Sequence, residues 1–415
     1  QEQKDSALSL NHEEKNHDAI GSAPVQPAST VLTKPLIFLF AIISGLSVAN
    51  VYFAQPLLNS MAESLRVEPA AIGIVVTLTQ TGYALGLLFI VPMGDLLNRR
   101  NMIIGQISLS VVALIVVSIA PDISVLLLGM SVVGLMAVVV QVLVAYAATL
   151  ALPEQRGQAI GTVTSGIVLG ILFARFISGA FADLAGWRSV YFASSIIMLL
   201  IIGVLVKVMP KQPTSGEKSS YFQLLASVCR LFITVPLLRV RGVLALLIFA
   251  AFSVLWTAMV LPLSAAPFSL SHTEIGLFGL AGVAGALAAA KAGHWADKGL
   301  GQKTTGIALA LLALSWLPTA MLPVSLPLLI VGVVILDFAV QAVHVTNQSI
   351  IFAARPDAQS RLVGVYMTFY SIGSALGAIT STHVYALWGW TAVCILGALF
   401  SIAAFIFWLI TRNTR

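Results

Sequence analysis

The sequence predicts an all-α polytopic membrane protein, with twelve spanning helices in two pseudo-symmetric six-helix bundles. Three observations predict it. First, 59% of the 415 residues are hydrophobic and 9% are charged, against about a quarter charged in soluble domains, so lipid is the solvent for this fold. Second, runs of the ~20 apolar residues that cross a ~30 Å hydrocarbon core recur down the chain, without the apolar–polar alternation of barrel strands. Third, the second half of the chain repeats the punctuating residues of the first in register.

In order, residues 1–34 are polar and mixed in charge, then rich in Pro, Ala and Ser, and read as a disordered tail whose histidines, such as His12 and His17, are solvated. Twelve runs follow, at 35–58, 70–93, 101–120, 123–150, 158–184, 188–209, 242–266, 273–296, 304–322, 326–352, 362–386 and 390–411. The first run is too long for the apolar core of a removable signal peptide and follows a polar head. The second and third are joined by a sharply charged turn, Val91-Pro92-Met93-Gly94-Asp95-Leu96-Leu97-Asn98-Arg99-Arg100. Gly293-His294-Trp295-Ala296-Asp297-Lys298-Gly299 closes the eighth run in the same manner. Residues 210–241 form the one long linker. Its apolar part, Tyr221 to Leu238, is interrupted by Arg230 and Pro236 and reads as an amphipathic helix at the membrane surface, because a thirteenth span would reverse the charge bias of the second half. Residues 242–411 then form the second bundle, matching 35–209, and 412–415 a short tail.

The formal net charge of +6 is distributed as a topology signal and not as a nucleic-acid surface. With twelve spans, all but four of the 22 lysines and arginines collect on one side. Arg66 and Arg188 lie opposite, and Arg175 and Lys291 lie within runs. The positive-inside rule makes the basic side cytoplasmic, with both termini on it. Two cysteines, Cys229 in the linker and Cys394 in the last run, carry no disulfide framework.

The repeat has a constant offset. Ile72-Gly73 recurs as Ile275-Gly276, Gly129 as Gly332, Pro153-Glu154 as Pro356-Asp357, and Gly186-Trp187 as Gly389-Trp390, while Gly161, Gly170 and Ala174 recur as Gly364, Gly373 and Gly377. Paired repeats of this kind build many secondary transporters, with the substrate site near midplane between the halves.

On these residues the chain resembles the major facilitator superfamily of transporters, of the drug-efflux type, over residues 35–411. Asp95, Arg99 and Arg100 match the acid and two bases of the loop motif that follows the family's second span. Val91, Leu96 and Asn98 replace its two glycines and one arginine. In the second half Gly293, Asp297 and Lys298 fit the same motif. Gly161, Gly170 and Gly179 match the antiporter motif of the fifth span, whose Gly-Pro is here Ala174-Arg175, and Leu126 to Gly134 lacks the arginine of the family's proton-driven exporters. The resemblance implies that Asp95 braces a cytoplasmic gate by accepting hydrogen bonds from a helix N-terminus of the opposite half. Arg99, Arg100 and Arg156 would stabilise that charge, and Asp297 with Lys298 would form the repeat of the gate.

The tenth run carries the most informative residue, Asp337, about eleven residues in and so close to midplane at ~1.5 Å per residue. A carboxylate there is costly unless paired, hydrated or protonated, which makes intramembrane acids functional candidates. At about 100° per residue Asp337, Gln341, His344 and Gln348 fall within about 60° of one another, a polar stripe that faces a cavity or the other half. The functional reading is uptake and release of a coupling proton by Asp337 and His344, and the bland one is a static packing stripe. Arg175, at similar depth in the fifth run, needs an anion (Asp337 or an acidic substrate) or a set of backbone carbonyls. Asn50, Tyr52 and Gln55 in the first run, Gln80 in the second, Gln141 in the fourth and Trp256 in the seventh complete the expected pathway lining.

No His-Glu-x-x-His, Gly-x-Ser-x-Gly or phosphate-binding glycine loop occurs, so neither an intramembrane enzyme nor an ATP-driven pump is expected, and no cofactor or metal. A receptor or scaffold has no need of the twofold repeat. The sequence-level expectation is alternating-access export of a small organic solute in exchange for protons, by a monomer in a bacterial inner membrane. Its partners are the lipid bilayer, the small-molecule substrate and protons, with no nucleic acid. Metabolite uptake by symport, or uniport, is the alternative.

Overall fold

A computed structural model describes residues 32–68, 72, 74–211, 220–271, 274–275 and 277–415. The first 31 residues of the expected tail, Gly73 and Gly276 of the repeat, and 212–219 of the linker lie outside the described residues. Leu32–Arg415 is one compact unit, built of helices. Eleven are long and apolar enough to cross a membrane: span 1 Lys34–Leu65, span 2 Ile74–Asp95, span 3 Arg99–Ser118, span 4 Ile123–Leu150, span 5 Pro153–Ala185, span 6 Trp187–Val208, span 7 Pro236–Ser264, span 8 Leu277–Asp297, span 10 Leu326–Ala354, span 11 Pro356–Trp388 and span 12 Trp390–Thr411. Span 9, Gly301–Ala320, has a full 20 residues. Gln302, Lys303, Trp316 and Pro318 dilute its hydropathy, but it packs on spans 10 and 12 as span 3 packs on spans 4 and 6.

The packing repeats as the sequence does. Span 1 lies against 5 as 7 lies against 11, 2 against 4 as 8 against 10, and 3 against 6 as 9 against 12. Across the halves, span 5 meets span 8 and span 11 meets span 2, again a twofold-related pair. Local chemistry sets the ends. Asn98 and Asp122 cap spans 3 and 4, their side chains accepting from Asn101 N at 3.4 Å and Val125 N at 3.0 Å. The reversals from span 5 to 6 and from 11 to 12 turn at Gly186 and Gly389, whose φ of +85° and +81° belongs to the left-handed region that a side chain disfavours. The paired glycines of the repeat are thus a geometric requirement met twice.

Two boundaries differ from the sequence expectation. A 14-residue helix, Tyr221–Thr234, occupies the linker with Leu224, Val228 and Leu231 inward. Span 7 then begins at Pro236 instead of 242, because proline fits the first turn of a helix, where its missing N–H is not needed. Arg241, expected at the basic surface, is consequently inside the second bundle and 1% exposed.

Candidate functional site: a gated cavity between the halves

The basic end of the molecule is closed by two equivalent clasps. Asp95, at the end of span 2, accepts from the backbone N–H of Ser360 at 3.1 Å and of Arg361 at 3.0 Å, in the first turn of the span 11 helix. Asp297, at the end of span 8, accepts from Gly157 N at 2.7 Å and Gln158 N at 2.8 Å, in the first turn of the span 5 helix. Each carboxylate thus satisfies N–H groups that a helix start leaves free, at the positive end of its dipole. Ion pairs add to the first clasp. Arg99 Nη2 lies 2.9 Å from Asp95 Oδ1, and Arg361 Nε lies 2.8 Å from Asp95 Oδ2. Arg99 also donates to Ser360 Oγ at 3.2 Å and to Thr149 Oγ1 at 2.6 Å.

The other expected gate residues are placed differently. Arg100 donates to the carbonyls of Val206 and Met209 at 2.8 and 3.3 Å. It therefore caps span 6 within its own half, because it sits about 100° around the helix from Arg99. Arg156 forms no ion pair among the described residues, and its Nε is buried without a partner among them. Lys298 is exposed and makes no side-chain hydrogen bond or ion pair among the described residues, because Asp297 ends its helix and turns the next residue to solvent. Arg361 was not expected at the gate. It lies in the run of basic residues that reads as topology signal, and only its position at the start of span 11, equivalent to Gln158, distinguishes it.

The halves diverge away from this end. At Gly293 an added Cβ would meet Gly157 O at 2.0 Å, and at Gly161 it would meet Ala289 O at 2.4 Å. At Gly282 the nearest atom is the Cβ of Leu172, 3.8 Å away. Spans 5 and 8 touch backbone to backbone at the basic end, where only glycine fits, and above it Gly279 and Gly282 meet span 5 through side chains, Leu172 lying 3.2 and 3.8 Å from an added Cβ.

In the opening lies a cavity of about 630 Å³ lined by both halves. Gln55, Gln80, Gln141 and Arg175 reach it from the first half, and Trp256, Asp337, Gln341 and His344 from the second. Asp337 is 4% exposed and accepts from Trp256 Nε1 at 2.9 Å. His344 Nδ1 is 2.9 Å from Tyr366 Oη, and Gln141 Nε2 donates to Tyr83 Oη at 3.2 Å. The Oε1 atoms of Gln141 and Gln341 are buried without partners. Gln348, the last member of the stripe, is 2% exposed and lies beyond the lining.

One expectation is corrected, and one of the alternatives open for Arg175 is removed. Asn50 does not line the cavity. It is 2% exposed and accepts a hydrogen bond from Ser194 of span 6, because Val51 takes the cavity face and the adjacent residue is turned about 100° away. Arg175 and Asp337 are not ion-paired among the described residues. Arg175 is exposed in the cavity wall with its guanidinium carbon 6.0 Å from the centre of the Tyr52 ring, a cation–π distance. Tyr52, Tyr83 and Tyr370 also line the cavity. A tyrosine in an apolar run gives little polar signal, and only Tyr52 was expected.

The sequence profile of the Major Facilitator Superfamily matches residues 37–260 and 242–415. The chain belongs to the Major Facilitator Superfamily. Within it, the chain is 44% identical over 377 residues to an Escherichia coli O157:H7 protein described as "Uncharacterized transporter YgaY", covering 91% of this chain and 95% of that one. It is 27% identical to the Streptomyces coelicolor protein "Probable transporter SCO4007", over 88% of this chain and 84% of that one. Among solved structures, the human organic anion transporter MFSD10 (TETRAN) superposes with a TM-score of 0.77 at 19% identity, and the superfamily transporter FucP in its outward conformation with 0.72 at 12%. Each covers 92% of this chain and all of the other. At these identities the likeness to the structures is one of fold. This superfamily member is therefore a membrane transporter.

Proposed function

We propose that the chain is a proton-coupled secondary transporter that exports a small organic solute from the cytoplasm by alternating access. It works as a monomer in a bacterial inner membrane with both termini cytoplasmic. The observation that carries this reading is Asp337, a carboxyl group buried in the inter-half cavity with a neutral indole N–H as its partner and no cation paired with it among the described residues. A charge held at that depth without a counter-ion is costly, so taking up and giving up a proton there changes the balance between the two open states. The basic side is the cytoplasmic one by the positive-inside rule. With both clasps shut on that side, the described state faces outward.

In the cycle, protonation of Asp337 from outside removes the charge that favours a wet cavity. The halves then rock about the span 5–8 and span 2–11 contacts, and the clasps at Asp95 and Asp297 release. Solute enters from the cytoplasm as the proton leaves. His344 plays a different part, because its Nδ1 is already engaged by Tyr366.

The test uses the purified chain in proteoliposomes with an imposed pH gradient and a panel of organic solutes, with and without a protonophore. Solutes that move should do so against their gradient only while the pH gradient lasts. Asp337→Asn should abolish gradient-driven accumulation while leaving downhill exchange. Full gradient-driven transport by Asp337→Asn removes the proton role.

A further inference from the structure

Behind the cavity the second bundle holds a guanidinium with no acid beside it. Arg241 is 1% exposed and forms no ion pair among the described residues. Its Nη1 donates to Thr305 Oγ1 at 2.9 Å and to Asn347 Oδ1 at 3.1 Å. A guanidinium has donors only, so it orders the hydrogen bonds of its two acceptors, Thr305 and Asn347. Thr305 gives its own proton to Gly301 O at 2.8 Å, which leaves its lone pair to Arg241. Asn347 has to turn its oxygen to Arg241 and its amide nitrogen away, where Nδ2 donates to Tyr366 Oη at 3.2 Å. The Tyr366 oxygen then accepts, and its own proton has two destinations, His344 Nδ1 at 2.9 Å or the His344 carbonyl at 3.5 Å. Only the first lies within the usual range for a hydroxyl donor. Nδ1 therefore accepts, and the ring proton sits on Nε2, the nitrogen left to the cavity that His344 lines. Packing fixes the ring itself. It stacks on Tyr366 at 5.5 Å and 18°, and meets Phe249 edge-on at 5.1 Å and 87°.

We propose that Arg241 is a positioning residue for the solute site: acting through Asn347 and Tyr366, it holds His344 as a fixed N–H donor to the cavity, which selects a small organic anion, an aromatic carboxylate being the simplest. The carboxylate accepts from His344 Nε2–H, Arg175 supplies the positive charge from the facing half, and Phe252, Trp256 and Tyr370 receive the ring. Neither Arg241 nor Asn347 is among the residues lining the cavity. They reach the solute only through Tyr366 and His344, by the direction of the hydrogen bonds.

The proposal rests on the transport reading, and its test does not depend on transport. The full chain is purified with ring-15N-labelled histidine, and the His344→Gln spectrum is subtracted to assign His344. The expected spectrum has a bare Nδ1 and a protonated Nε2. In Asn347→Asp the new carboxylate can only accept, so Tyr366 donates to it and accepts from His344 Nδ1–H, and the tautomer inverts. Benzoate binding, followed by tryptophan fluorescence, should then weaken about tenfold or more, the cost of losing a hydrogen bond to a charged group, although no cavity residue has changed. Tyr366→Phe, which shortens the chain without placing a new charge, should give a mixture of both tautomers and an intermediate loss. It serves as the readout if Asn347→Asp does not fold. A native spectrum with the proton on Nδ1 overturns the relay. The expected tautomers with benzoate binding that is absent, or equal in native and variant proteins, overturn the anion assignment. Loss of gradient-driven transport in Asp337→Asn stands or falls separately, so failure here is distinguishable from failure of the transporter reading.

Discussion

Asp95 and Asp297 occupy equivalent ends of spans 2 and 8, and each accepts two backbone N–H groups from the first helical turn of a span in the opposite half. Around this shared plan the surroundings differ. The Asp95 side chain is 3% exposed and meets two guanidinium groups, Arg99 and Arg361. Asp297 is only half-buried and has no ion pair among the described residues. The difference separates two kinds of contact that a gate carboxylate makes. The backbone contacts fix where the opposite helix docks, and duplication has kept them in both halves. The guanidinium contacts are concentrated at one clasp, with Arg99 coming from the first half and Arg361 from the second. Arg99 strengthens this asymmetry by bonding Ser360 across the interface and Thr149 within its own half, so the Asp95 clasp is a network while the Asp297 clasp is a pair of bonds.

The sharpest way to break the comparison is Asp95→Asn. The amide offers one acceptor where the site needs several, and it leaves Arg99, 7% exposed, without its counter-charge. Removing one partner of a buried pair costs about 3–5 kcal/mol. Spin labels at Leu152 and Leu300, both exposed at the basic end, with Cys229 replaced by serine, should report a population shifted strongly to wide separations. Asp297→Asn should move the same distance distribution the same way but less. It loses a charged acceptor at a half-exposed site without breaking an ion pair among the described residues, about 1.5–3 kcal/mol before solvent screening. Equal shifts in the two variants would show that the backbone contacts do all the holding and that the guanidinium groups are incidental.

This asymmetry also marks the limit of what the sequence discloses. Apolar runs of spanning length, the glycine–tryptophan reversals and the polar stripe of span 10 are legible, because they follow from hydropathy, a positive φ and the 100° step of a helix, all of which are local. Span 9 was legible too, although Lys303 and Pro318 pull its hydropathy below that of the others. Asn50 shows where local reasoning stops. It is as polar as Gln55, but one residue's rotation separates the cavity from the interior of the bundle, and only packing against Ser194 decides which face is inward. Arg361 and Arg241 were hidden for the opposite reason. Both lie among basic residues that a topology rule already accounts for, so their charge carried no further information until Asp95 and Asn347 were found beside them. For Arg175 the sequence leaves Asp337, an acidic solute and backbone carbonyls open as partners, since matching depth in two spans does not fix distance across a cavity.

The smallest effects decide whether the asymmetry lies in Arg361 itself. Arg361→Ala keeps the backbone N–H that Asp95 accepts and keeps Arg99, but it removes the 2.8 Å contact to Asp95 and a 2.9 Å bond to Ser227 of the linker helix. Its side chain is 17% exposed, so water compensates part of the loss, and a cost of about 1 kcal/mol is expected. That corresponds to a several-fold change in the open-to-closed ratio at the basic end. Lys298→Ala, which removes an exposed cation with no side-chain partner among the described residues, should leave the distance distribution unchanged and so calibrates the measurement. If Arg361→Ala also shows no shift while Asp95→Asn shows a large one, Arg99 alone supplies the additional hold. The clasp is then stiffened from within its own half, and Ser227 of the linker helix has no influence on the gate.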